Sequence, residues 1–149
     1  MGLFGDKDKP EVTENVLFKN IDILEINETQ TRYQGVMGIH SNNATKVRNI
    51  RFEDIRVDHI IEGRLFNFAV IGDDRYSQAP GGGIEDIVLH NVTFSGLGVV
   101  SPSLLQGFDA DRGVKGIVFS NVRIGGKKLL GPKPDLLEIG PFVSGIAYR

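Results

Sequence analysis

Asn49-Ile50-Arg51-Phe52-Glu53-Asp54-Ile55-Arg56-Val57 is the stretch whose reading decides the fold. Ile50 and Phe52 flank Arg51, and Ile55 and Val57 flank Arg56, which is the period-two alternation of a β-strand. Between Phe52 and Ile55 the apolar step is three, not two, so the phase flips across Glu53-Asp54. Such a flip is a corner: one strand ends, the chain bends, and the next strand starts with its apolar side still inward. The phrase returns at Asn15–Ile23, Asp86–Phe94 and Gly116–Ile124. Its corner residues are Asn20, Asp54, Asn91 and Asn121, in steps of 34, 37 and 30 residues. A recurring unit of this size means stacked supersecondary repeats rather than one globular core.

A third strand precedes each later phrase, at Tyr33 to Ile39, Leu65 to Ile71 and Leu104 to Phe108. Each is followed by a polar bend: His40-Ser41-Asn42-Asn43, Gly72-Asp73-Asp74-Arg75 and Asp109-Ala110-Asp111-Arg112. Leu3-Phe4 followed by Asp6-Lys7-Asp8-Lys9 fits the same slot, and Leu137-Glu138-Ile139 begins a fifth. Short strands without helical periodicity predict an all-β fold, a parallel β-solenoid of about four to five coils. An antiparallel sandwich also uses short strands joined by turns, but gives no reason for a corner residue to return in register. Four coils rising about 4.8 Å each make a stack of only about 19 Å. The whole chain, 1–149, is then a single domain, with 1–12 and 129–149 expected as terminal caps. Open strand ends template further pairing, so a homo-oligomer through the solenoid ends is the alternative to capping.

Composition narrows the function classes. A formal charge of −2 disfavours a general nucleic-acid binder, and no apolar run is long enough for a membrane-spanning helix. The chain has no Cys, so disulfides, zinc thiolates and cysteine nucleophiles are excluded. No motif calls for a cofactor or a metal. The first residues carry no signal-peptide core; a secreted or periplasmic site requires a removed signal, and otherwise the expectation is cytoplasmic. Asn-x-Thr triplets stand at Asn27, Asn43 and Asn91. Gly81-Gly82-Gly83 reads as a flexible bend, not a phosphate loop. The corner residues should form a ladder, since an Asn amide both donates and accepts. Asp54 accepts only, which predicts a weaker contact beside it, and Asn91 is expected to face inward.

The polar column after the third strand carries the candidate chemistry. Stacking is expected to bring Asp6, His40, Asp73 and Asp109 together along one edge, with Asp74, Arg75, Asp111 and Arg112 beside them. Carboxylates on neighbouring coils fall within the roughly 5 to 9.5 Å that glycoside hydrolysis uses. Close acids raise one another's pKa, which suits a general acid, and His40 is an added proton carrier. Asp73, Asp74, Asp109 and His40 are the candidate catalytic residues. Arg75, Arg112, Tyr76 and Asp111 are the candidate substrate-binding residues. Turn chemistry and internal ion pairs explain the same residues without function.

The phrases Val47–Val57 and Val114–Ile124 resemble coils of right-handed parallel β-helix carbohydrate enzymes, the polygalacturonase-type (pectinase) glycoside hydrolases. The likeness covers about Glu14 to Lys128 and is similar to the C-terminal coils of such enzymes. It implies a right-handed β-helix and inverting hydrolysis of acidic polysaccharides by aspartates. The family's Gly-Asp-Asp motif matches Gly72-Asp73-Asp74, which implies that Asp73 and Asp74 are the general acid and the water-activating base. The Asn-Thr-Asp and Gly-His-Gly motifs have no counterpart here, and Arg123-Ile124 continues into Gly125 where the family has Lys. The resemblance therefore implies a polysaccharide or oligosaccharide partner and leaves catalysis open.

Overall fold

In a computed structural model, which describes residues 2–30, 32–72, 77–96 and 101–149, the chain is a parallel β-solenoid of about four turns. The strands are β1 (Gly2–Phe4), β2 (Val12–Asn27), β3 (Met37–Asn42), β4 (Lys46–Glu62), β5 (Phe66–Val70) and β6 (Gly83–Phe94). They continue as β7 (Ser103–Gln106), β8 (Val114–Ile124), β9 (Lys127–Lys128), β10 (Leu137–Ile139), β11 (Val143–Ser144) and β12 (Ala147–Tyr148). One sheet runs β1-β3-β5-β7-β10 and the other β11-β8-β6-β4-β2. Every pairing along both is parallel; the short β9 turns back antiparallel on β8. Each complete turn of the chain adds one strand to each sheet.

The long strands are bent, and two backbone corners bend them. Asn20, Asp54, Asn91 and Asn121 have φ of 55°, 56°, 55° and 53°, the left-handed region. Asn and Asp tolerate it best among residues with a side chain, which is why the phase flips there. A second corner lies five residues earlier, at Asn15, Asn49, Asp86 and Gly116. These are the opening residues of the repeated phrase, and the apolar step across them is again three, Val47 to Ile50 and Ile84 to Ile87. Gly145, with φ 68°, extends this corner into the tail. At Gly116 a Cβ would lie 2.8 Å from the Asp86 carboxylate, so glycine is required where the ladder partner below leans over.

Between corners the register holds side chains in columns. Phe18, Phe52, Leu89, Phe119 and Tyr148 form one, and Ile21, Ile55, Val92 and Val122 another. The Phe18 and Phe52 rings stack at 5.0 Å, and Phe119 and Tyr148 at 5.5 Å. From the facing sheet, Phe66 and Phe68 close the bore against Phe119 and Phe52. Successive coils thus bury one another's apolar faces, the only burial a solenoid offers.

Three expectations need correction. The strand expected at Tyr33 to Ile39 is Met37–Asn42, so His40, Ser41 and Asn42 lie in a strand and not in a bend. All six of its residues are buried, because the segment after residue 77 folds across its outer face: Asn43 N donates to Ala79 O at 2.9 Å and Ala44 N to Pro80 O at 2.8 Å. Gly81 and Gly82 are not a flexible bend. A Cβ on Gly81 would lie 2.2 Å from Ser41 O, and one on Gly82 2.5 Å from Ala44 O, so both are seats for close backbone packing. Asn91 is half-buried rather than enclosed, its amide bonded along the ladder to Asp54 and Asn121. The tail beyond residue 142 adds a partial coil, with β11 and β12 paired on β8.

Candidate functional site

The polar column does not assemble as the spacing suggests. In the observed register His40 lies beside Gly2 on one side and Ala69 on the other, and Ala69 beside Gln106. Asp109 falls three residues past that row, and Asp6 closes a small turn of its own with Lys9. Asp73, Asp74, Arg75 and Tyr76 lie outside the described residues.

His40 is buried, with its ring edge-on to Tyr33 at 5.1 Å, and its Nε2 has no hydrogen-bond partner. Burial pushes its pKa from 6.5 down to about 4. The imidazole is therefore neutral near pH 7 and shielded from solvent, the opposite of an accessible proton carrier.

Asp109 is solvent-facing and fully engaged. Its Oδ1 accepts from the backbone N–H of Asp111 at 3.1 Å and of Arg112 at 2.8 Å. Its Oδ2 accepts from Arg112 Nε at 2.9 Å and from Arg112 Nη2. The Arg112 guanidinium holds the Asp109 carboxyl below its ordinary range, while Asp109 raises Arg112. A general acid needs the reverse shift. The close-acid effect expected for this column is therefore absent at Asp109.

The same turn builds a cleft. Phe108 N donates to Arg112 O at 2.9 Å, closing the turn, and the Arg112 guanidinium lies 4.7 Å from the centre of the Phe108 ring. Phe108 is 39 % exposed. Its other side rests on Gly72, where a Cβ would lie 2.1 Å from Phe108 Cε2. The glycine of Gly72-Asp73-Asp74 is thus the seat of an aromatic ring, a reason for glycine independent of catalysis. Arg32 reaches across and donates from Nη2 to Gly72 O at 2.9 Å. Arg32, Gly72, Gln106, Phe108 and Pro141 surround an open cleft of about 380 Å³ beside β5 and β7. Arg32 and Gln106 were not among the residues singled out from the sequence. Arg32 stands just ahead of the strand expected from Tyr33, where no polar bend was read, and Gln106 sits inside an expected strand.

Among the described residues no three His, Asp or Glu side chains gather as a metal site. No family model, no curated protein and no solved structure matches the chain.

Proposed function

We propose that the chain is a polysaccharide-interacting β-solenoid whose contact surface is the cleft around Phe108. The observation that carries this reading is the cleft itself: an exposed aromatic ring fixed on Gly72, with Arg32 and Gln106 lining the same opening. The exposed part of the Phe108 ring offers a sugar an apolar contact at the rim of the cleft, with hydrophobic burial as the driving force. The Arg32 guanidinium, which lines the cleft, suits the carboxylate of an acidic sugar better than an ammonium would, whereas the Arg112 guanidinium is taken up by Asp109. The resemblance of the repeated phrases to polygalacturonase-type coils supports the same class of partner. Recognition without turnover is the form that fits Asp109, whose carboxylate is bound to Arg112 and held ionised.

The test is titration with polygalacturonate and with a neutral glucan, followed by calorimetry, for the wild type, Phe108→Ala and Arg32→Ala. Binding of polygalacturonate is expected to weaken roughly five- to tenfold on loss of the ring, with circular dichroism unchanged. No binding to any polysaccharide by the folded protein would refute the reading. Release of reducing ends that disappears in Asp73→Asn would replace it with hydrolysis.

A further inference from the structure

The first coil has the inner face of every other coil, and among the described residues nothing stacks on its outer side. Val16, Phe18, Ile21, Ile23 and Ile26 are half-buried, while their register partners Ile50, Phe52, Ile55, Val57 and Ile60 are between 0 and 5 % exposed. The bore opens here as a mouth of about 110 Å³ lined by Phe18, Ile21, Ile23 and Val36. The 16-residue strand β2 is the edge of its sheet, hydrogen-bonded on one side only. An apolar opening rimmed by an unpaired strand invites strand addition.

The two ends of the solenoid carry opposite charge. Residues 11–28 hold five carboxylates, Glu11, Glu14, Asp22, Glu25 and Glu28, against the single ammonium of Lys19. Residues 114–149 hold six cations, Lys115, Arg123, Lys127, Lys128, Lys133 and Arg149, against Asp135 and Glu138. Between coils the molecule already joins such charges: Arg48 with its register partner Glu14 at 2.5 Å, Arg56 with its register partner Asp22, and Lys46 diagonally with Glu85 at 2.8 Å. The aromatic column begins at Phe18 and ends at Tyr148, and both are half-buried. Phe142 and Ile139 add exposed apolar area at the basic end.

We propose that the chain stacks on further copies of itself head to tail, the acidic first coil of one copy covering the basic last coil of the next. A second copy is the partner whose basic end complements the acidic rim and whose aromatic column continues at Phe18. Two first coils face to face would set like charges against each other. Head-to-tail contact is heterologous and does not close on itself, so the product is a growing series rather than a fixed dimer. It goes beyond the polysaccharide reading and needs no sugar.

Sedimentation of the wild-type protein over a concentration series, without polysaccharide, tests it. The weight-average mass is expected to climb past one chain, 16.4 kDa, and then past two. Glu11→Lys/Glu25→Lys/Glu28→Lys makes both ends basic and leaves the Glu14–Arg48 and Asp22–Arg56 pairs intact. Lys127→Glu/Lys128→Glu/Lys133→Glu makes both ends acidic. Each triple variant alone, folded by circular dichroism, is expected to need at least about tenfold more protein to assemble. Mixing the two restores assembly, because each variant's ends then meet their complement. Three outcomes would overturn the proposal: a wild type that stays one chain throughout, a mass that stops at two chains, or assembly unaffected by inverting the basic end.

Discussion

At the scale of single residues, the corners do two jobs. The backbone must turn into the left-handed region, and the side chain must span to the next coil. Asn49 Nδ2 donates to Asn15 Oδ1 at 2.6 Å, Asn91 to Asp54 Oδ1 at 2.7 Å and Asn121 to Asn91 Oδ1 at 3.0 Å. Below Asp54 the amide ladder breaks, as an acceptor-only residue predicts. The gap is filled not by a loose contact but by Arg56, whose guanidinium donates to Asn20 Oδ1 at 3.0 Å and to the Asp54 carbonyl at 3.2 Å. The two jobs separate by mutation. Asn91→Gly removes the ladder bonds and keeps the backbone conformation. Asn91→Ala removes the bonds and adds backbone strain. Urea denaturation is expected to show Asn91→Gly destabilised by about 1 kcal/mol and Asn91→Ala by about 1 kcal/mol more. Equal losses would mean that the corner angle carries no strain. His40 gives a pH signature. The unfolded chain takes up a proton near pH 6.5, whereas the folded chain resists until about 4. Stability from this group is complete above pH 6.5 and declines as pH falls toward 4, by no more than about 3 kcal/mol. Denaturation at pH 7, 5.5 and 4.5 should show that decline, and His40→Leu should flatten it.

At the scale of elements, burial is set by position along the stack. Phe18 and Phe52 occupy the same slot in neighbouring coils, yet Phe52 is 5 % exposed and Phe18 half-buried. Phe52→Ala should cost about 3–5 kcal/mol, in the range for a truncated core aromatic. Phe18→Ala should cost about 1–2 kcal/mol, since less area leaves water on folding. Equal costs would show that something covers the first coil. How much of this was legible in the sequence also depends on position. The bent strands were readable because one face is buried and the other wet, so Ile50, Phe52, Ile55 and Val57 alternate cleanly with charge. β3 was shifted in the reading because both its faces are buried, and His40-Ser41-Asn42 have bend-like composition. The second corner was present in the repeat as Asn15, Asn49 and Asp86 and leaves a phase flip of its own, Val47 to Ile50 and Ile84 to Ile87, but it lies just ahead of the stretch whose alternation was followed.

At the scale of the whole molecule, the stacking order was legible and the site was not. Equal spacing between polar residues suggested a column, but the connections between strands differ in length, so equal spacing did not mean equal register. His40 belongs to the row of Ala69 and Gln106, and Asp109 lies beyond that row. The cleft around Phe108 comes from a ring laid on a glycine and from Arg32 reaching across coils, contacts that no local pattern encodes. Every functional statement therefore rests on the in-register stack. The most direct test uses the absence of native cysteine. Glu53 and His90 are register partners on neighbouring coils, and Ser120 is the partner of His90 one coil further. Dibromobimane fluoresces on bridging two nearby thiols. Neighbouring coils place the first pair about 4.8 Å apart and the outer pair about twice that. Fluorescence from Glu53→Cys/His90→Cys, and little from Glu53→Cys/Ser120→Cys, is the result the stack predicts. No fluorescence from the first pair in a folded protein, or equal fluorescence from both, would contradict it.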